Sequence, residues 1–220
     1  MYAEKKDIQD YLGIAINNSL NDFVDGMIES GQDYVERYCG NGVIRRRKFG
    51  VSGNSEETKY YDGDGGRKLA IDDVQSVSKL VIDGVEMVDG DDYLLYPLNE
   101  KPKEWIELKD WSENMNSRSI IGERYPEFPI DEQKIVEVKG KFGYSDDVPK
   151  TIKMAVVRVA SALIKENAGD TDLRELSSES LGPYSASFAD VKDIANSISV
   201  PEMLESYKRL PLTKANYRKL

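Results

Sequence analysis

Between Val136 and Leu163 the spacing of the apolar residues changes completely. Val136, Val138, Phe142 and Tyr144 fall on one phase of an alternation, as in a strand with one buried face. After Pro149, residues Ile152, Ala155, Val156, Val159, Ala160 and Leu163 fall three and four apart, as on one side of a helix. Pro149 suits the first turn of that helix, where its missing N–H costs nothing. The opposite change occurs earlier. Leu20, Phe23, Val24, Met27, Ile28, Gly31, Tyr34, Val35 and Tyr38 step by three and four, with Ser19 and Asp22 as an N-cap pair and Gly40 as a stop. From residue 42 the pattern is β. A chain that leaves a helical pattern and returns to it is most simply a discontinuous helical bundle, 1–41 and 149–210, with a β domain at 42–148 inserted between its long helices.

Ile8, Tyr11 and Leu12 predict a short first helix. Within the insert, KYYDGDGGRKLAI reads as strand, glycine-rich turn, strand. KLVIDGVEMV reads as two strands around Asp83-Gly84, a two-residue hairpin turn in which glycine accepts a positive φ. DYLLYPL, EWIELKDW and KIVEVKGKFGY are further strands. Strands at this spacing, with no long helical pattern between them, point to a small antiparallel barrel or sandwich. The fold class is therefore α+β. Residues 166–187 read as a loop. Phe188, Val191, Ala195 and Ile198 predict a third helix. Ser199 and Glu202 suggest a capping box for a fourth, with Pro201 in its first turn and Pro211 beyond its end. Residues 211–220 read as an extended C-terminal tail.

Several function classes lose their chemistry at once. There is no histidine and Cys39 is the only cysteine. Ser-His-Asp and Cys-His catalysis, histidine metal sites, a structural zinc and an intrachain disulfide are all excluded. No apolar run is long enough for a membrane helix, and MYAEKKDIQDYL lacks the apolar core of a signal peptide, so a soluble intracellular protein is expected. The net charge is −10, yet the C-terminal stretch carries Lys208, Arg209, Lys214, Arg218 and Lys219 with no acid. An acidic body does not grip phosphates by default. A basic tail on it can dock on an acidic partner or on another copy of the chain.

Four features carry possible chemistry, each beside a plainer reading. DGDGG (62–66) resembles the start of a calcium loop but has Gly66 at the fifth position and Asp73 where a bidentate glutamate is needed, so a hairpin turn is preferred. The basic run Arg45–Lys48 can touch nucleic acid, or guard an exposed edge strand. Tyr60, Tyr61, Tyr93, Tyr96, Trp105 and Trp111 can stack bases, but their neighbours Asp62, Asp91, Asp92, Glu104, Glu107 and Asp110 repel phosphates, which favours packing. The pairs Asp91/Asp92 and Asp146/Asp147 have no nucleophile or histidine beside them and suit turns. No catalytic, cofactor-binding or metal-binding residue is assigned. The helix after Pro149 is also apolar on its other side, at Met154, Val157 and Ile164, which marks it as the centre of a bundle or of a subunit contact.

The ordered set of elements resembles the head–tail connector (adaptor) proteins of tailed bacteriophages, in their larger members with a β insert. The resemblance rests on the Asp83-Gly84 hairpin; Asp92, Tyr93, Leu95 and Pro97 of a D-Y-x-L-x-P strand; Gly140, Gly143 and Tyr144; Val148, Pro149, Ile152 and Ala155; and Gly182, Tyr184 and Ser185. It covers most of the chain. It implies a structural virion protein with no catalytic residues, made in the host cytoplasm and located at the neck. Such proteins form a ring, usually of twelve copies, beneath the portal. The ring extends the DNA channel, lets genomic DNA pass without sequence-specific binding, and offers a platform to the neck or tail-completion protein.

The resemblance further implies that the C-terminal segment docks on the portal, here through Lys208, Arg209, Leu210, Leu212, Lys214, Tyr217, Arg218, Lys219 and Leu220. A ring needs lateral faces, which would place Met154, Val157 and Ile164 at subunit contacts. The rival readings are a nucleic-acid-binding module using the β domain, which the acidic charge disfavours, and a small-molecule enzyme, for which no constellation is present.

Overall fold

The computed structural model describes residues 1–40, 46–50, 56–109, 127–130, 133–168 and 188–209. Among these residues the protein is mixed α+β, with five helices and one antiparallel sheet of six strands. The chain divides into two compact units. Met1–Arg47 and Val148–Pro211 form one, and Lys48–Asp147 forms the other.

In the first unit, α1 (Lys5–Leu12) starts with a reciprocal box between Glu4 and Asp7 and stops at Gly13, which is left-handed at φ 68°. A 3₁₀ turn (Asn18–Leu20) then leads into α2 (Asn21–Cys39). The side chain that caps this start is Asn17, which accepts from the Ser19 N–H, so the expected Ser19–Asp22 cap is replaced. Gly40 follows the last helical residue and donates to the Glu36 carbonyl. Pro149 lies one residue ahead of α3 (Lys150–Ala168), and its carbonyl accepts from Lys153. The helix runs three residues into the stretch expected to be loop.

Helix α3 packs against α1, α2, α4 (Phe188–Ser197) and α5 (Val200–Leu204). Its crossing with α2 is close at Gly31, where an added Cβ would lie 3.2 Å from the Val156 carbonyl oxygen. Arg158 reaches from α3 to the Ile198 carbonyl and the Met203 sulfur, at 2.8 and 3.1 Å. Ser199 makes no capping box. It sits left-handed at φ 56° with no side-chain cap bond, and Pro201 opens α5 as expected. A 3₁₀ turn, Glu205–Tyr207, follows.

The second unit is built on β2 (Lys68–Ile82), a strand of 15 residues. On one side it pairs with β6 (Val136–Phe142). On the other it pairs with β5 (Lys103–Leu108) near its start and β3 (Val85–Met87) near its end. The register breaks between Ala70 and Val74 and twice more against β6. The first break shifts the alternation by one residue. Leu69 and Ile71 before it and Val74, Leu80 and Ile82 after it therefore all enter one core with Ile106, Leu108, Val136 and Val138.

The sheet order is β1-β6-β2-β5-β4, with β1 (Glu57–Tyr61) and β4 (Tyr93–Tyr96) at its ends. The Asp83-Gly84 hairpin is present, with φ of 48° and 76°. The glycine-rich turn at 62–66 joins two strands but is not a hairpin, because β6 lies between β1 and β2. The local sequence specified a turn, while a strand 54 or more residues away decided which edge each strand would meet.

Candidate functional site

Three of the residues that carry the resemblance, Gly140, Gly143 and Tyr144, lie near where the insert closes. Lys48 opens this unit, and its carbonyl accepts from the Tyr144 N–H at 3.1 Å. The rings of Phe49 and Tyr144 stand 5.1 Å apart and tilted by 57°. Gln75 of β2 donates to the Gly143 carbonyl at 3.0 Å and also to the Tyr144 carbonyl. The Gly143 N–H reaches the Asp73 carbonyl at 2.8 Å. Gly143 has a φ of 135°, open to glycine and strained for any other residue. At Gly140 a Cβ would stand 2.2 Å from the Ser76 carbonyl oxygen. The two glycines and the tyrosine thus form a clasp that holds the first and last residues of the β unit together.

Among the described residues of the basic run, 46–48, no strand forms. Arg46 pairs with Asp33 at 2.6 Å. Arg47 is only 3% exposed, its N–H donates to the Glu36 carbonyl, and its guanidinium donates to the Tyr207 carbonyl at 2.6 Å. Sequence reasoning missed this tie. Its only local signal was an arginine beside a helix end. Arg45 lies outside the described residues.

Of the residues expected to dock on a portal, two are described. Lys208 pairs with Glu205 at 2.7 Å and sits 4.2 Å over the Tyr38 ring, while the Tyr38 hydroxyl donates to the same carboxylate at 3.0 Å. The Glu205 hydrogen bond, followed by that of Tyr38, raises the Lys208 ammonium above its ordinary pKa. Arg209 is buried, and its N–H donates to the Cys39 carbonyl at 2.9 Å. Both residues are engaged within the helical unit. Leu210, Leu212, Lys214, Tyr217, Arg218, Lys219 and Leu220 lie outside the described residues, as do Gly182, Tyr184 and Ser185.

Of the three residues expected at subunit contacts, only Met154 is exposed, at 44%. Val157 and Ile164 are 3% and 0% exposed, covered by their own chain. A helix apolar on most sides is accounted for here by the four helices packed around it.

The aromatic residues of the sheet do not form an open platform. Tyr96 and Trp105 pair across β4 and β5 and stack on each other at 5.5 Å and 3°. Tyr93 is buried, the Tyr61 hydroxyl accepts from the Asp72 N–H, and Tyr60 alone among the described ones is strongly exposed. Trp111 lies outside the described residues. The carboxylate pairs are turn residues. Asp92 is buried and accepts from the Val88 N–H at 2.8 Å, and Asp146 pairs with Lys141 at 2.6 Å. In the glycine-rich turn, Asp64 accepts from the Gly66 N–H and Asp62 from the Lys134 N–H. Among the described residues no group of three acidic or sulfur ligands is assembled for a metal, and no helix is long and apolar enough to cross a membrane.

Comparison of the sequence with protein-family models and with curated proteins gives no match.

Proposed function

We propose that the protein is a structural component of a tailed-bacteriophage neck. It assembles as a ring of about twelve copies beneath the portal, the number typical of the family it resembles, carries the DNA channel onward and presents a platform to a neck or tail-completion protein. The observation that carries this reading is the discontinuous helical unit interrupted by a β insert whose ends are clasped by Gly140, Gly143 and Tyr144. These are motif residues of the resemblance, and each has a structural reason to be there that involves no chemistry.

In its finer form the reading takes the helices as a bundle and the bulged, six-stranded sheet as a barrel-like domain. The acidic body suits a channel through which phosphates slide without being held. The segment from Leu210 to Leu220, with Lys214, Arg218 and Lys219 among its leucines and Tyr217, is the part that docks on the portal. Cations steer it and the apolar side chains anchor it.

The test is electron microscopy of the purified protein mixed with portal rings of the same virus. An added, coaxial ring layer is expected. Portal rings that remain bare at saturating protein would overturn the reading.

A further inference from the structure

On the solvent side of the sheet, the register brings two lysines face to face. Lys79 of β2 lies directly opposite Lys139 of β6, and Thr58 of β1 flanks Lys139 on its other side. Lys141, opposite Ser76, extends the row. Directly opposed like charges destabilise an antiparallel pair. Lys141 is neutralised by Asp146, and Lys139 is partly answered by Glu56 at 3.4 Å. Among the described residues, Lys79 has no carboxylate within ion-pair distance.

The opposite defect lies on α2. Asp22, Asp25 and Glu29 are spaced three and four apart and so share one face. Asp22 is favoured by the helix N-terminus, but Asp25 and Glu29 are an i,i+4 pair of like charges near it. One turn on, Asp33 is answered by both Arg37 and Arg46, at 2.7 and 2.6 Å. Among the described residues the three acids have no such partner. Asp22 and Glu29 are exposed and Asp25 half-buried.

We propose that these two faces are the halves of one contact between copies of this chain, with the Lys79/Lys139 row of one copy lying against the Asp22/Asp25/Glu29 stripe of the next. Each face supplies the counter-charge the other lacks. Because the two faces differ, the contact is head-to-tail and leaves a free face of each kind on every pair, so it propagates and closes as a ring. The inference deepens the connector reading and rests on it for the closure. The contact itself is tested without any portal.

Equal amounts of unlabelled and nitrogen-15-labelled protein are mixed at low salt and treated with a carbodiimide, which joins a lysine to a carboxylate only in direct contact. Peptides joining Lys79 or Lys139 to Asp22, Asp25 or Glu29 are then read by mass. Mixed-label pairs are expected. They should fall at least fivefold in 0.5 M salt, where the screening length drops to a few ångströms. The surface variants K79E/K139E and D25K/E29K should each abolish them, and a mixture of the two should link again, because the Lys79/Lys139 row kept by D25K/E29K meets the Asp22/Asp25/Glu29 stripe kept by K79E/K139E. A single chain carrying all four changes should restore association, measured by sedimentation. Same-label pairs alone, or unchanged association of K79E/K139E, would overturn the contact. A ring that forms on the portal equally well with K79E/K139E would leave the connector reading standing and remove only this interface.

Discussion

The Tyr144 N–H donates to the Lys48 carbonyl at 3.1 Å, and this bond, with the Phe49–Tyr144 ring pair, joins the two ends of the β unit across 96 residues of sequence. An insert whose ends are tied together places little demand on the domain that hosts it, because loop closure has already been met inside the insert.

The β unit should therefore fold alone. A fragment of residues 48–147 is expected to give a β-type circular dichroism spectrum and a cooperative urea transition. Tyr144→Ala should lower its midpoint, consistent with the loss of about 1–3 kcal/mol from one buried contact and its hydrogen-bonded turn. A fragment without cooperative unfolding would show that the division between the units is misplaced.

Gly140 should be the least replaceable glycine of the sheet. A Cβ there meets the Ser76 carbonyl oxygen at 2.2 Å, and that atom is backbone in a bulged ladder. Gly140→Ala is expected to destabilise the β unit by about 1–3 kcal/mol or more. At Gly84, where φ is 76° but no atom lies within 4 Å, alanine should cost only about 1–2 kcal/mol of backbone strain. Urea midpoints of the two variants decide it, and equal losses would mean the close approach is not tight.

Two tyrosines, one in each unit, should set the alkaline limit of stability. Burial first, then the charges of Asp89 and Asp92, push Tyr93 up to about 12. Burial first, then Tyr38, push Tyr34 up to about 12. The ordinary value is 10.0, so the fold favours the neutral phenols. Their contribution is complete below pH 10 and is lost as the pH rises through about 12. In an absorbance titration at about 295 nm, these two should ionise last, together with loss of secondary structure. Tyr93→Phe should move the β transition to higher pH. Ionisation of every tyrosine near pH 10 in folded protein would contradict the burial.

The C-terminal segment should separate into an anchored and a docking part. Removing residues 211–220 is expected to leave the melting temperature nearly unchanged while abolishing portal attachment. Cutting back through Lys208 removes the Arg209 bond to Cys39 and the Lys208–Glu205–Tyr38 cluster, and should also destabilise the helical unit by about 1–3 kcal/mol. Calorimetry and portal co-sedimentation separate the two effects. Undiminished attachment of the shorter truncation would show that the dock lies elsewhere.

Periodicity by itself determined where the chain is helical and where it is β. The step of three and four in α2 and α3, the alternation in β6 and the Asp83-Gly84 turn depend only on neighbours within a few residues. Partnership was decided only by the tertiary structure, because it depends on residues far apart in the chain. Nothing near Tyr61 or Lys68 announces that β6 will come between their strands, so the turn at 62–66 reads locally as a hairpin. Nothing near Ser76 announces that β2 must carry an extra residue for its core face to stay buried. The same holds for charge. Arg47, Lys208 and Arg209 read as exposed cations, yet the ends of α2 and of the last 3₁₀ turn present carbonyls, a carboxylate and an aromatic ring that draw them in. The apolar circumference of α3 fixed its burial but not its neighbours, and the four helices packed around it within its own chain account for Val157 and Ile164.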